Sequence, residues 1–204
     1  MAPTTPRPAA SVILMRRGGR HRDRGVEVLL VQRSPESSFM PGVWVFPGGG
    51  VDPGDPGDEE ESHRACAVRE LREEAGIELE AGPGLVAWSR WITPEMVPVR
   101  FDTRFYVALA PAHSPPQPDG AETTDASWES PRGALERHAA GDLKLVFPTI
   151  KHLESLLPYE NAEAVLVAAR ERVVEPILPR VVEHDGEQRV VLPGDPGYPT
   201  SQAP

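Results

Sequence analysis

The segment Arg69-Glu70-Leu71-Arg72-Glu73-Glu74-Ala75-Gly76-Ile77 decides how this chain of 204 residues is read. It closes a longer run, Glu59 to Ala75, that is rich in Ala, Arg, Leu and Glu and free of internal Pro or Gly. That composition predicts a helix stopped by Gly76. At about 100° per residue, Glu70, Glu73 and Glu74 fall within an arc of about 100°, while Ala67, Val68, Leu71 and Ala75 gather on the other side. One face is core and the other is acid. Glu70 and Glu74 stand one turn apart and point to a shared spot, the kind of oxygen pair that hard cations prefer. Taken alone, such a face is more often a solvated surface than a metal site.

Working outward, Phe46-Pro47-Gly48-Gly49-Gly50 precedes the helix and offers backbone that can turn or approach a ligand closely. The apolar runs at 9–16, 26–31 and 43–46 read as strands before it, and 84–92, 99–110 and 123–129 as strands after it. Helices are expected at 131–140, 148–157 and 160–172, and a hairpin around Asp185-Gly186. Strands alternating with helices indicate the α/β class. A single domain is expected over 9–194, with a disordered N-terminal tail at 1–8 and a flexible tail at 195–204.

The formal net charge of −10 argues against a general binder of nucleic acid or anionic membrane, both of which need basic fields. A small phosphorylated ligand remains compatible, because a bound divalent ion supplies the local positive charge. Cys66 is the only cysteine, so neither an intrachain disulfide nor a multi-cysteine zinc site is available. No apolar run approaches the roughly 18–20 residues of a membrane helix, and residues 1–10 lack a signal pattern. A cytoplasmic protein is expected.

The combination of glycine turn and acidic helix resembles the Nudix hydrolases. Their box runs Gly, five residues, Glu, seven residues, then Arg-Glu-aliphatic-any-Glu-Glu-any-Gly-aliphatic, and its last nine positions match residues 69–77. The resemblance implies an α/β/α sandwich with a mixed curved sheet, and Mg²⁺ or Mn²⁺ as cofactor. It implies Glu70, Glu73 and Glu74 as metal ligands with the Gly49 carbonyl, and Arg69, Gly48 and Gly76 in structural roles. The substrate would be a small nucleoside diphosphate derivative, attacked in line by water; Glu73, Glu70 or Glu122 are the candidates for the base. His63 shares the acidic side by helical angle and reads as a surface residue.

The first half of the box departs from the pattern. Counting forward from Gly49 puts the glutamate position on Asp55, whereas counting back from Arg69 puts it on Glu61, so the loop is about six residues longer than usual. Glu61 fits the helical register, and Asp52, Asp55 and Asp58 read as solubilising loop acids.

Further residues are similar to the coenzyme A diphosphatases, notably the peroxisomal acyl-CoA branch. These are Leu29 to Ser34, Ser38 to Gly42, Val45 to Gly49, Trp91 to Pro94, Arg100 to Phe105 and Phe147 to Thr149. That resemblance makes Arg33, Arg100 and Arg104 candidates for phosphate contacts. Phe46, Trp88, Trp91 and Phe101 become candidates for the substrate's nucleotide. The competing substrates are ADP-ribose, nucleotide sugars and dinucleoside polyphosphates. A non-catalytic nucleotide sensor is the competing class. The C-terminal helices and hairpin are candidates for a homodimer surface or a cap over the pocket.

Overall fold

The computed structural model describes residues 4–18, 25–37, 40–184 and 187–199. The elements run β1 (Arg7–Arg17), β2 (Val26–Arg33), β3 (Trp44–Val45), β4 (Gly48–Gly50), α1 (Glu59–Ala75), β5 (Val86–Ile92) and β6 (Phe101–Leu109). They continue with β7 (Thr123–Glu129), α2 (Pro131–Ala140), α3 (Phe147–Leu156), α4 (Ala162–Glu171), β8 (Pro176–Ile177), β9 (Arg180–His184) and β10 (Glu187–Val191).

Strand β1 organises the molecule. Residues Ala9 to Met15 are all buried, which a strand tolerates only when both faces of its sheet are covered. Val12 and Leu14 point to a core shared with Cys66, Ala67 and Leu71 of α1 and with Tyr106 of β6. Ile13 and Met15 point the opposite way, to a core with Ala134 of α2, Leu153 of α3 and Val165 of α4. Helices therefore sandwich one mixed sheet. Its order is β3-β2-β1-β6-β5-β8, with β4 added to β1 and β7 to β2. Strands β1 and β6 are parallel, whereas β1 and β2 are antiparallel. Among the described residues no helix is long and apolar enough to cross a membrane.

Three expectations need correction. The stretch 1–8 is not wholly a disordered tail: β1 begins at Arg7, whose N–H donates to the Arg100 carbonyl at 2.9 Å, and Thr4 donates to the Pro98 carbonyl. Gly48 to Gly50 is more than a turn, because it forms an edge strand opposite Ala9 to Ser11. A Cβ on Gly48 would lie 2.5 Å from the Ala10 carbonyl oxygen, so only glycine allows that approach. The tail expected from 195 is tied back at its start, where Asp195 accepts from the Leu192 N–H and the Tyr198 hydroxyl donates to the Leu178 carbonyl. Strands β9 and β10 pair antiparallel around Asp185-Gly186, and that dipeptide lies outside the described residues, as do Ser38 and Phe39.

Candidate active site

Helix α1 is fixed at both ends by local chemistry. Asp58 is its N-cap: its carboxylate accepts from the backbone of Glu60 and Glu61, and Glu61 reaches back to accept the Asp58 N–H at 3.0 Å. Gly76 ends it at φ 64°, donating to the Arg72 carbonyl. Glu61 and Asp58 thus serve the helix start, and neither is a free solubilising acid.

The acidic side of α1 faces the glycine strand β4. The backbone N–H of Gly48 donates to Glu74 Oε2 at 2.9 Å. A Cβ on Gly49 would fall 2.4 Å from Glu70 Oε1, so this position accepts no side chain while Glu70 keeps its place. Arg69 ties the region together. Its Nη1 donates to Glu70 Oε1 at 2.7 Å and to Glu73 Oε2 at 3.0 Å. Its Nη2 donates to the Gly50 carbonyl at 3.1 Å. The other edge of the guanidinium grips Asp55 bidentately, Nε to Oδ1 at 3.0 Å and Nη2 to Oδ2 at 3.1 Å. Asp55 is therefore not a solvating loop acid: its side chain is only 5% exposed. Burial alone would raise its pKa, but the Arg69 hydrogen bonds and charge and the Asp52 N–H overcome that, and the carboxyl lies below its ordinary range. The count forward from Gly49 thus lands on a residue that braces Arg69, and the additional loop residues fall between Asp55 and α1.

Two of the three glutamates are buried. Burial pushes the Glu74 carboxyl up to about 8, against the Gly48 N–H and with help from the negative charges of Glu70 and Glu122. Burial likewise raises Glu70, opposed by Arg69 and reinforced by Glu73 and Glu122. Glu73 is exposed. Among the described residues no three acidic, His or Cys side chains converge as a ready ligand group. Arg69 holds Glu70 and Glu73, and the Gly48 N–H holds Glu74. The donor set nevertheless suits a hard divalent cation: it is all oxygen, it gathers three carboxyl groups around the one Arg69 guanidinium, and the glycine at position 49 lets the Glu70 carboxylate lie directly against the backbone.

Glu122 approaches from the other side, on the turn before β7, close enough for its charge to act on Glu70 and Glu74. The turn is built by Asp119, whose carboxylate accepts the N–H groups of Ala121, Glu122 and Thr123 and the Thr123 hydroxyl. Thr123 also donates to the Glu74 carbonyl at 2.7 Å, fastening this turn to α1. The spacing Asp119-Gly120-x-x-Thr123 is the sequence signal of this side-chain-capped turn. Arg33 also belongs here, since its charge lowers the Glu74 pKa while its Nη2 donates to the Ser37 hydroxyl at 2.9 Å.

Other candidates stand elsewhere. Arg100 is buried, donating to the carbonyls of Thr93 and Thr4, and thereby pins the N-terminus rather than a phosphate. Arg104 is held by Glu59 and Glu60 in the first turn of α1. Phe46 and Trp91 are core residues on the face covered by α3, where both rings meet His152, at centroid distances of 5.9 and 5.5 Å. Trp88 is buried beneath the Arg172 guanidinium, 4.0 Å from its ring centroid. His63, expected at the surface, is 5% exposed and contacts the Glu59 carbonyl. Trp88 and Trp91 lie on β5, and both faces of this sheet are covered, so their side chains enter core.

A NUDIX domain model matches residues 5–147. A Caenorhabditis elegans protein named "Putative nudix hydrolase 7" is 29% identical over 94% of this chain and 74% of its own length. The human acyl-coenzyme A diphosphatase NUDT19 is 24% identical over 85% of this chain and 72% of its own length. Among solved structures, a NUDIX hydrolase from Alicyclobacillus acidocaldarius superposes with a TM-score of 0.72 at 28% identity, covering 80% of this chain and 96% of that one. The chain belongs to the Nudix family. It is a pyrophosphohydrolase, built to act on a nucleotide derivative.

Proposed function

We propose that the protein hydrolyses the diphosphate of coenzyme A or acyl-CoA, giving adenosine 3′,5′-bisphosphate and (acyl-)4′-phosphopantetheine. The observation that carries the reading is the pair of buried carboxylates, Glu70 and Glu74, set against the side-chain-free Gly49, with burial raising the pKa of each. The likeness to an acyl-coenzyme A diphosphatase over most of the chain supports the choice of substrate.

Glu70, Glu73 and Glu74, with the Gly49 carbonyl, would hold Mg²⁺ or Mn²⁺. Such ions, when bound, neutralise the diphosphate oxygens and acidify the attacking water. Arg69 keeps Glu70 and Glu73 in place, and Arg33 brings positive charge to the entrance beside Glu74. Glu122, exposed and near both buried carboxylates, takes the proton of the attacking water. Purified protein with Mg²⁺ or Mn²⁺, given CoA, acyl-CoA, ADP-ribose, nucleotide sugars and dinucleoside polyphosphates, should turn over the CoA compounds with the highest kcat/KM. Faster turnover of ADP-ribose or a nucleotide sugar would overturn the assignment.

A further inference from the structure

The lengthened loop between Gly50 and α1 does more than brace Arg69. With α1 and the segment after it, it borders an open groove of about 510 Å³, within the roughly 300–1,000 Å³ typical of small-molecule sites. Ala65 and Val68 of α1 line it together with Pro56, Leu79 and Ala81. Arg69 and Arg72 also line it. Through these two side chains the groove borders the acidic site, for Arg69 donates to Glu70 and Glu73, and Arg72 Nη2 lies 3.9 Å from Glu73.

Resting on the function proposed above, we infer that this groove receives the flexible, mostly aliphatic arm joined to the substrate's diphosphate, which in CoA is the pantetheine portion. The lining decides against the nucleobase. None of the residues that form the groove is aromatic, so a base would find no ring to stack on. Aliphatic walls instead suit methylene and methyl groups, whose burial is favourable in proportion to area. Acidic Glu78 and the backbone at Gly54 stand beside them for the arm's amides. Arg72, whose side chain is 61% exposed, stands with a cation where the arm leaves the diphosphate. The Asp55–Arg69 pair makes the shared wall rigid, so the loop's added length forms a specificity pocket alongside its bracing role.

The test compares dephospho-CoA with ADP-ribose, which share adenosine and diphosphate and differ in the arm. Ala81→Trp, at an exposed position, fills the groove, and Val68→Asn, at a half-buried position that also touches the core, makes its lining polar. In each variant the ratio of kcat/KM for dephospho-CoA to that for ADP-ribose should fall about tenfold. An equal loss on both substrates would place the nucleotide in the groove and overturn the inference, as would an unchanged ratio. Calorimetric binding of 4′-phosphopantetheine, the arm alone, separates this inference from the activity it rests on. If the wild-type protein cut neither substrate, the proposed function would fail, yet weaker binding in both variants would still support the groove. Equal binding in wild type and variants, or none, would refute it.

Discussion

Replacing Asp55 by Ala is the most direct challenge to the account of the site. The carboxylate accepts three hydrogen bonds, from Arg69 at 3.0 and 3.1 Å and from the Asp52 N–H at 2.8 Å, with its side chain 5% exposed. Hydrogen bonds to charged groups contribute about 1.5–3 kcal/mol each when buried. Arg69 is itself 25% exposed and keeps Glu70 and Glu73 as partners, so its charge is not stranded and solvent screens part of the loss. The expected cost is therefore about 2–3 kcal/mol, below that of breaking a fully buried ion pair. The pH dependence has a definite sign. The folded-state pKa of Asp55 is depressed, so its contribution is complete above the unfolded value near 3.8 and disappears only as the pH falls through the folded value. Urea unfolding at pH 7 should show the full difference between wild type and D55A, and the gap should close only in strong acid. A double-mutant cycle with Arg69→Ala should be strongly non-additive, and Mn²⁺ binding should weaken in D55A because Glu70 and Glu73 lose their brace. If D55A matched wild type within about 0.5 kcal/mol in urea and in Mn²⁺ affinity, Asp55 would be an ordinary loop acid.

Three further outcomes are expected. Gly49→Ala places a methyl where Glu70 Oε1 sits, 2.4 Å away, and should lower kcat at least about 100-fold while near-ultraviolet circular dichroism stays native. Glu74, raised to about 8 from 4.5, binds a proton in the folded state that the unfolded chain releases. Stability of the metal-free protein should fall by about 2–4 kcal/mol as pH rises from 4.5 to 8, and E74Q should flatten that slope in urea titrations. His152 has the opposite bias: burial holds it neutral, its pKa lowered to about 4, with its ring nitrogens engaged by the Pro148 carbonyl and the Ser89 hydroxyl. The unfolded chain binds that proton first, so stability should fall by up to about 3 kcal/mol as pH drops from 6.5 to 4, a loss absent in His152→Gln when unfolding is measured at both ends.

What was legible in the sequence divides by the range of the interaction that sets it. Helix α1 was read to both of its ends because its signals are local: a composition without breakers and Gly76 in the left-handed cap. The alternation of β1 between two cores was implicit in an apolar run too continuous for a one-sided strand. Strand β4 escaped because three glycines carry no side-chain pattern, and its strand character comes wholly from β1, about 40 residues earlier. Asp55 escaped for a related reason. Spacing allowed two counts through the lengthened loop, and only the fold shows that Arg69, 14 residues away, chooses Asp55 while Glu61 serves the cap.

The substrate residues mark where reading from residue type fails. Arg33, Arg100 and Arg104 have equal chemical claims on a phosphate, yet only Arg33 lies where its charge reaches Glu74. Arg104 is consumed by Glu59 and Glu60 at the start of α1, and Arg100 by two backbone carbonyls that fasten the N-terminal strand. A cation in a protein of net charge −10 is seldom short of acidic partners, so its nearest carboxylate, and not its chemistry, decides its role. The same excess of acid explains why the carboxylates of α1 remain the distinctive feature. Arg69 engages two of them, Glu70 and Glu73, while Glu74 is buried and, among the described residues, accepts a hydrogen bond from the Gly48 N–H alone. Burial keeps a proton on Glu74 near neutral pH, and a divalent cation would displace it. Removing this ionisable group through E74Q should therefore stabilise the metal-free fold at neutral pH while weakening Mn²⁺ binding, two opposite effects of one substitution that a purely structural role for Glu74 would not produce.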